Sequence, residues 1–490
     1  MIQAEPTSSI QRIERNQREI IRRVIVRGCL KLESPTCLGS GDADSPTDMP
    51  LLRDSISQHA LLTGSSIAGA LRNYLWDYEH NYGARETRDD MAAYLFGAIR
   101  RDDDGDQSPL IVYDAISSTV PAIELRDGVK IESKTGTASD KAKYDLEVLV
   151  AGTKFSLQLE LLINQQANQN KLLQGLAIAL QGLEKGEISL GMKKRRGFGR
   201  CKVTEWQVWD FDLTNPQKCR EWLKFDHWTP GFLENYSKTE SIANALGVDL
   251  SKVDDKRDRL TLKATFSLDG SLLIRSGQAS TDKAPDVVHL KSNGKPIVSG
   301  TSLAGVLRHR AERIVKTLQG TPSNGEPNLV KTLFGDVDEK SKTAQASRLI
   351  VHEAEINESH DMVQNRIAID RFTGGAYHGA LFNEQPVWGG ENTKLTIELE
   401  LHNPKAYEIG LLLLLLKDLW TGDLPVGGES SIGRGRLKGK EATVTHYQPG
   451  PQNKSWKITQ GDQHLEIENP DELESFVKAL VDEVSEEVAA

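Results

Sequence analysis

The chain has 490 residues, 38% of them hydrophobic and 27% charged, which suits two or three domains with real cores and excludes a disordered or collagen-like chain. Its longest apolar run, six leucines at 411–416, is far below the roughly 20 residues that cross a bilayer, and the polar, arginine-containing start has no secretion-signal core, so a cytoplasmic protein without membrane contact is expected. The net charge of −10 is mostly local: residues 461–490 hold ten acidic residues against Lys478, leaving a near-neutral body with clustered base. The first cluster is Arg12, Arg15, Arg18, Arg22, Arg23 and Arg27; the second is Lys193, Lys194, Arg195, Arg196, Arg200 and Lys202. Phosphate contacts are local, so clustering matters more than the total. Cys29, Cys37, Cys201 and Cys219 show no CxxC or zinc-ligand spacing, so neither a disulfide framework nor a structural zinc is expected.

In chain order, apolar–polar alternation predicts a strand over 20–32. A Gly-Ser-Ser cap and the face Ile67, Ala70, Leu71, Leu75 and Trp76 predict a helix over 65–82. A strand over 154–163, a helix over 168–184 and a strand over 200–211 follow. The second half repeats the order: strands over 260–268 and 272–276, a helix over 302–315, a strand over 394–401, a helix over 407–419 and a strand over 436–446. This is the split-βαβ order of a ferredoxin-like domain, twice. The expected division is an N-terminal extension at 1–19, a first domain at 20–213, a linker at 214–258, a second domain at 259–447 and an acidic tail at 448–490. In that tail, Pro470 opens a helical pattern whose stripe Leu473, Phe476, Val477 and Leu480 is of the kind that docks on its own protein.

The two halves share more than order. Gly64-Ser65-Ser66-Ile-Ala-Gly-Ala-Leu-Arg72 returns as Gly300-Thr301-Ser302-Leu-Ala-Gly-Val-Leu-Arg308, and Gly191, Gly197, Gly199 and Arg200 return as Gly427, Gly433, Gly435 and Arg436. Both motifs recur at an offset of 236, a whole domain duplicated rather than a short solenoid repeat. A helix N-terminus offers free amides to an anion, and glycines let backbone approach a phosphate that neighbouring cations neutralise. Each motif alone has a plain reading, an N-cap by Ser65 or Thr301 and a tight turn. The second turn keeps its glycines but loses most of the basic run, so the two copies are expected to grip unequally.

Together with Leu95-Phe96-Gly97 and Leu333-Phe334-Gly335, these motifs resemble the RAMP superfamily of CRISPR-associated proteins. More narrowly they resemble the repeated backbone subunit of type III effector complexes, here as a tandem fusion like that of type III-D systems, over roughly 22–212 and 259–447. The resemblance implies an α+β chain of two modified ferredoxin-like (RRM-like) domains in tandem, each with a thumb β-hairpin insertion. It implies a CRISPR guide RNA, a complementary target RNA and other type III effector subunits as partners in antiviral defence. The implied RNA-binding set is Gly64, Ser65, Ser66, Arg72, Lys193, Lys194, Arg195, Arg196, Gly197, Gly199 and Arg200 in the first copy. In the second it is Gly300, Thr301, Ser302, Arg308, Arg371, Gly433, Arg434, Gly435 and Arg436. The stretch from Arg366 to Ala376 is similar to the family's thumb, with a weaker counterpart from Lys130 to Ala138.

Catalysis in that family depends on an aspartate in the loop before the Gly-Ser-Ser helix. Its pattern Asp-x-Pro-aliphatic-aliphatic-basic-Asp falls on 48–54, which makes Asp48 the candidate catalytic residue and ligand of Mg²⁺ or Mn²⁺, or the group that aligns the target's 2′-hydroxyl. In the second copy the offset of 236 lands on Ala284, flanked by Asp282 and Asp286, either of which a small change in loop length would bring into place. Two alternatives stay open: an RNA-binding scaffold subunit whose acidic loops are inert, and a stand-alone ribonuclease that processes precursor guide RNA. The second lacks a general-base histidine beside the basic run.

Overall fold

The computed structural model describes residues 19–41, 48–87, 89–97, 106–132, 135–276, 285–320, 325–338, 341–450, 453–462 and 464–489. Asp282, Ala284 and the arginines at 12, 15 and 18 lie outside the described residues.

The first domain is built on Ile20–Leu32. This strand lies between Lys154–Asn164 and Cys201–Asp212, antiparallel to both, with the short Leu110–Val112 outside Lys154–Asn164. Helices Gly64–His80 and Gln169–Lys185 cover the face that carries Val24, Val26, Leu30 and Leu32. The second helix runs from a capping Asn168, whose side chain accepts from Lys171 N, to Gly186, left-handed at φ 71°. The first begins one residue earlier than the sequence pattern indicates. Its cap is Thr63, not Ser65, because the Thr63 hydroxyl reaches the amide of Ser66; Ser299 does the same for Ser302 in the second copy.

The second domain repeats the sheet order with Arg259–Asp269 central, Lys394–His402 and Arg436–Tyr447 beside it, and Leu349–Val351 and Ala354–Asn357 outside Lys394–His402. Helices Gly300–Gln319 and Ala406–Trp420 cover its core face. Both domains are thus α+β and ferredoxin-like, and both carry a hairpin insertion: Ile123–Ile131 with Ala138–Leu149, and Gln364–Ile369 with Ala376–Gln385.

The tail is part of the second domain's body. Lys454–Gln460 adds a strand to Arg436–Tyr447, and helix Pro470–Ala489 buries Leu473, Leu480 and Val484 in the core. A Cβ on Gly410 would lie 2.2 Å from Phe476 O, so only glycine lets the helices approach this closely. The segment after the first domain also packs down. Trp222, Phe225 and Leu233 gather on Ile25, Trp209 and Phe211, on the sheet face opposite the helices. Arg27, fully buried, donates to Asp226 O and Gly231 O, while Arg22 pairs with Asp210 and Arg23 with Glu160. These three arginines are structural.

The glycine-rich loop of the first domain seats against the second. Between Lys193 (φ 55°) and Gly197 (φ 84°), residues Lys194–Arg196 form a 3-10 turn. Arg196 O sits where a Cβ on Gly300 would be, 2.2 Å away, and Val351 O lies 2.5 Å from the same point. Alanine at Gly300 must push the loop off, at a cost of roughly 1–3 kcal/mol. Alanine at Gly305, one turn on in open space, should instead stabilise by up to about 1 kcal/mol through helix propensity. Chemical denaturation of the two variants should therefore move the midpoint in opposite directions; a loss no larger for Gly300→Ala than for Gly305→Ala contradicts the seat.

Candidate nucleic-acid interface

Asp48 and Asp286 occupy the same place in the two domains. Asp48 Oδ2 accepts from Asp145 N at 2.9 Å, and Asp286 Oδ2 accepts from Asn383 N at 2.9 Å, the partner lying 97 positions on in both cases. Asp145 and Asn383 are on the returning strands of the two thumb hairpins. The following residues pair in parallel with those strands, Met49 with Leu146 and Val287 with Glu384. Asp286, two positions beyond the 236 offset, is thus the geometric counterpart of Asp48. In the first domain the arrangement is reciprocal, since Asp48 N also donates to Asp145 Oδ1 at 3.1 Å, and Glu147 fastens the loop further by accepting from Leu51 N and pairing with Arg53.

Asp48 suits a hard divalent cation. It gives one carboxylate oxygen to the Asp145 amide, which leaves its other oxygen outside this pair, and one or two carboxylates plus water is the donor set Mg²⁺ prefers. Among the described residues, Glu79, His80 and Asp90 also bring ligand atoms within 4.8 Å of one another. There His80 Nε2 meets Asp90 Oδ1 at 2.7 Å and Glu79 accepts from Met91 N, so the group closes a helix junction with its own bonds.

Much of the expected RNA-binding set is spent on the protein itself. Arg72 makes a two-point pair with Glu86 and Arg308 with Glu326. The amide of Gly64 is taken by Asp114 Oδ1 at 2.6 Å, and Gly300, Thr301 and Ser302 start their helix against the first domain's loop. Arg195 meets His402, Arg196 donates to Phe334 O, and Arg200 pairs with Glu398, all in the second domain. Lys193 lies over the Tyr144 ring at 3.8 Å. Gly199 and Gly435, at φ 81° and 78°, cross the carbonyls of Leu190 and Val426 where a Cβ would be 1.8 and 2.0 Å away, a backbone crossing that demands glycine without any ligand. Gly197 at φ 84° likewise packs against Glu353 N. Ser65, Ser66, Lys194, Arg371, Gly433 and Arg436 remain exposed.

The two copies also differ beneath the thumbs. In the first, Leu146, Val148, Phe198 and Cys37 form an apolar cluster with Tyr144 against it. In the second, Glu384 and Arg434, both nearly fully buried, pair with each other and with Glu429 and Arg366. Burial and the neighbouring Glu429 carboxylate raise the Glu384 carboxyl. The exchanges Lys193/Glu429 and Phe198/Arg434, each 236 apart, are the signal in the sequence that marks this change. The second thumb also exposes Ile367, Ile369, Phe372, Tyr377 and Leu381.

The domain seam forms a cleft of about 410 Å³, open to solvent, lined by Lys194, Arg195, Arg257, Arg259, Glu187 and Glu400, among others. Burial opposes the charge on Glu187, but Arg257 at 2.9 Å, Arg259 at 2.8 Å and the Tyr74 hydroxyl outweigh it and hold its pKa at about 2. Burial also opposes Glu400, which His402 and Arg259 bring to about 2, whereas burial lifts Asp77 to about 6 against Arg195 and Arg257. A carboxylate depressed on folding stabilises above its unfolded pKa, near 4.3, and loses that contribution as pH falls toward the folded value. Glu187→Gln is therefore expected to cost roughly 3 kcal/mol at pH 7, with the gap to the parent protein narrowing between about pH 4.5 and pH 2. Urea titrations across that range check it; a gap independent of pH would contradict the ion pairing.

The RAMP superfamily model matches this chain twice, over residues 29–202 and 265–438. No curated protein matches it. Among the described residues no helix is long and apolar enough to cross a membrane. Two matched segments, two copies of one sheet order and two carboxylates held in the same way at the root of two thumbs agree: the chain belongs to the RAMP superfamily, as a tandem pair of RAMP domains.

Proposed function

We propose that this chain is a double backbone subunit of a type III CRISPR effector complex that holds a guide RNA and cuts the paired target RNA at two sites. One observation carries the reading: the loop carboxylates Asp48 and Asp286 are fixed at equivalent positions beside two thumb hairpins, at sites related by the domain repeat. RAMP proteins are CRISPR-associated and RNA-binding, and the exposed Lys194, Arg371 and Arg436 supply cations for a phosphate chain. The apolar residues on the second thumb suit insertion between base steps, where lost stacking is offset by added contact.

At each site the carboxylate faces the target strand and takes the proton of a 2′-hydroxyl. The 2′-oxygen then bonds to the adjacent phosphorus as the P–O5′ bond breaks, and water returns a proton to O5′. The products are a 2′,3′-cyclic phosphate and a 5′-hydroxyl. Asp48 would hold Mg²⁺ or Mn²⁺, which would supply charge stabilisation at the phosphate. The residues Asp48 and Asp286 orient the nucleophile, and the fixed domain seam sets the distance between the two cuts.

Asp48→Ala and Asp286→Ala in the assembled complex test this with a guide-complementary RNA. Each substitution should slow cutting at one of two positions by about a hundredfold or more and spare the other. Undiminished cutting at both positions in both variants would leave the chain a scaffold.

A further inference from the structure

The loop that carries each candidate carboxylate is hydrogen-bonded to the hairpin that reaches away from the domain, and the fastening position is the same in both copies. We propose that Asp145 and Asn383 are positioning residues: their backbone N–H groups aim the carboxylates of Asp48 and Asp286, and so make cutting depend on where the thumb sits. The inference rests on the function proposed above and names the part of the chain that governs it.

Five observations converge. The donor lies 97 positions after the acceptor in both domains, and each bond is 2.9 Å. Each loop continues as a short parallel pairing with the same thumb strand, so loop and thumb move as one piece. In the first domain the lock is double, through Asp48 N to Asp145 Oδ1 and the Glu147 contacts to Leu51 and Arg53. In the second the side chain changes to an amide, and Asn383 Oδ1 is buried with no hydrogen-bond partner among the described residues. The thumbs themselves expose Val129 and Ile131 in one domain and Ile367, Ile369, Phe372 and Tyr377 in the other, away from any core. A hairpin displaced by a paired duplex therefore carries its carboxylate with it. An N–H aimed at a carboxylate also restricts that carboxylate to one orientation, which is what attack on a neighbouring phosphate needs.

The Asp145 N–H points to Asp48 and not across the hairpin to Asp127, so proline at 145 removes that donor at the strand edge while sparing the hairpin bonds. Asp145→Asn keeps the N–H and the side-chain acceptor and serves as the conservative rescue. The assembled complex, loaded with guide, is given a complementary RNA, and both cut positions and target affinity are read. Asp145→Pro should slow the cut assigned to Asp48 by about a hundredfold, leave the Asp286 cut and target affinity as in the parent, and Asp145→Asn should restore cutting to within a few-fold. Asn383→Pro should do the same to the other cut. Three results would overturn the inference: full cutting by Asp145→Pro, an equal loss in Asp145→Asn, or loss of both cuts together. If Asp145→Pro cuts fully while Asp48→Ala does not, the positioning role alone falls; if Asp48→Ala also cuts fully, the proposed nuclease reading falls with it.

Discussion

The structure depends on one contact: the glycine-rich loop of the first domain resting on the start of the second domain's first helix. Arg196 O fills the space beside Gly300 that any side chain would need, and Gly197 fits under the backbone at His352 and Glu353. Around this backbone-on-backbone seat, the loop's cations find fixed acceptors on the second domain, Phe334 O and Glu398. Below it, Glu187 joins Arg257 and Arg259 across the start of the second domain, and Tyr82 stacks on His402 at 3.6 Å. Buried pairs of this kind contribute little net stability but strongly penalise their own disruption. The consequence is a fixed relation between two domains whose sequences alone would permit them to swing on a linker. Two carboxylates borne by rigidly related domains address a polymer at a constant spacing, which two free domains cannot do.

The duplication has not preserved the chemistry evenly. In the first copy Arg195, Arg196 and Arg200 are taken up in the domain seam; in the second the same turn presents Ser430, Ser431 and Ile432 to solvent with a glycine that nothing crowds. Beneath the thumb, an apolar cluster in one copy is a network of buried carboxylates and guanidinium groups in the other. The apolar floor is held by non-directional packing, while the charge network holds one geometry because any displacement leaves a buried charge unpaired. The two thumbs are thus mounted on supports of different chemistry, and the second, which exposes Phe372 and Tyr377, stands on the charged one.

The repeat and the ferredoxin-like order were legible in the sequence because they rest on a recurring motif with glycines at positive φ that few other residues can replace, and on apolar periodicity. The limits have equally specific causes. The caps fell on Thr63 and Ser299, just before the repeated motif, since a cap is defined by which hydroxyl reaches an amide and not by which motif opens the helix. Asp286 was one of two candidates because the loop before it is two residues out of step with the 236 offset, a difference visible only against the thumb strand. Arg72, Arg308 and Arg196 read as phosphate ligands because their partners Glu86, Glu326 and Phe334 are set by the fold and not by spacing. Asp145 and Asn383 carried no motif at all; their role is written in the direction of a backbone N–H.

A map of the chain assembled on guide and target RNA, at a resolution that shows side chains, tests the central claim most directly. The account predicts the Asp48 and Asp286 carboxylates within about 3.5 Å of target-strand 2′-hydroxyls, with both thumbs against the duplex and the loop still on Gly300. Carboxylates turned to solvent or to the guide strand, or a target path that bypasses the thumbs, would contradict it.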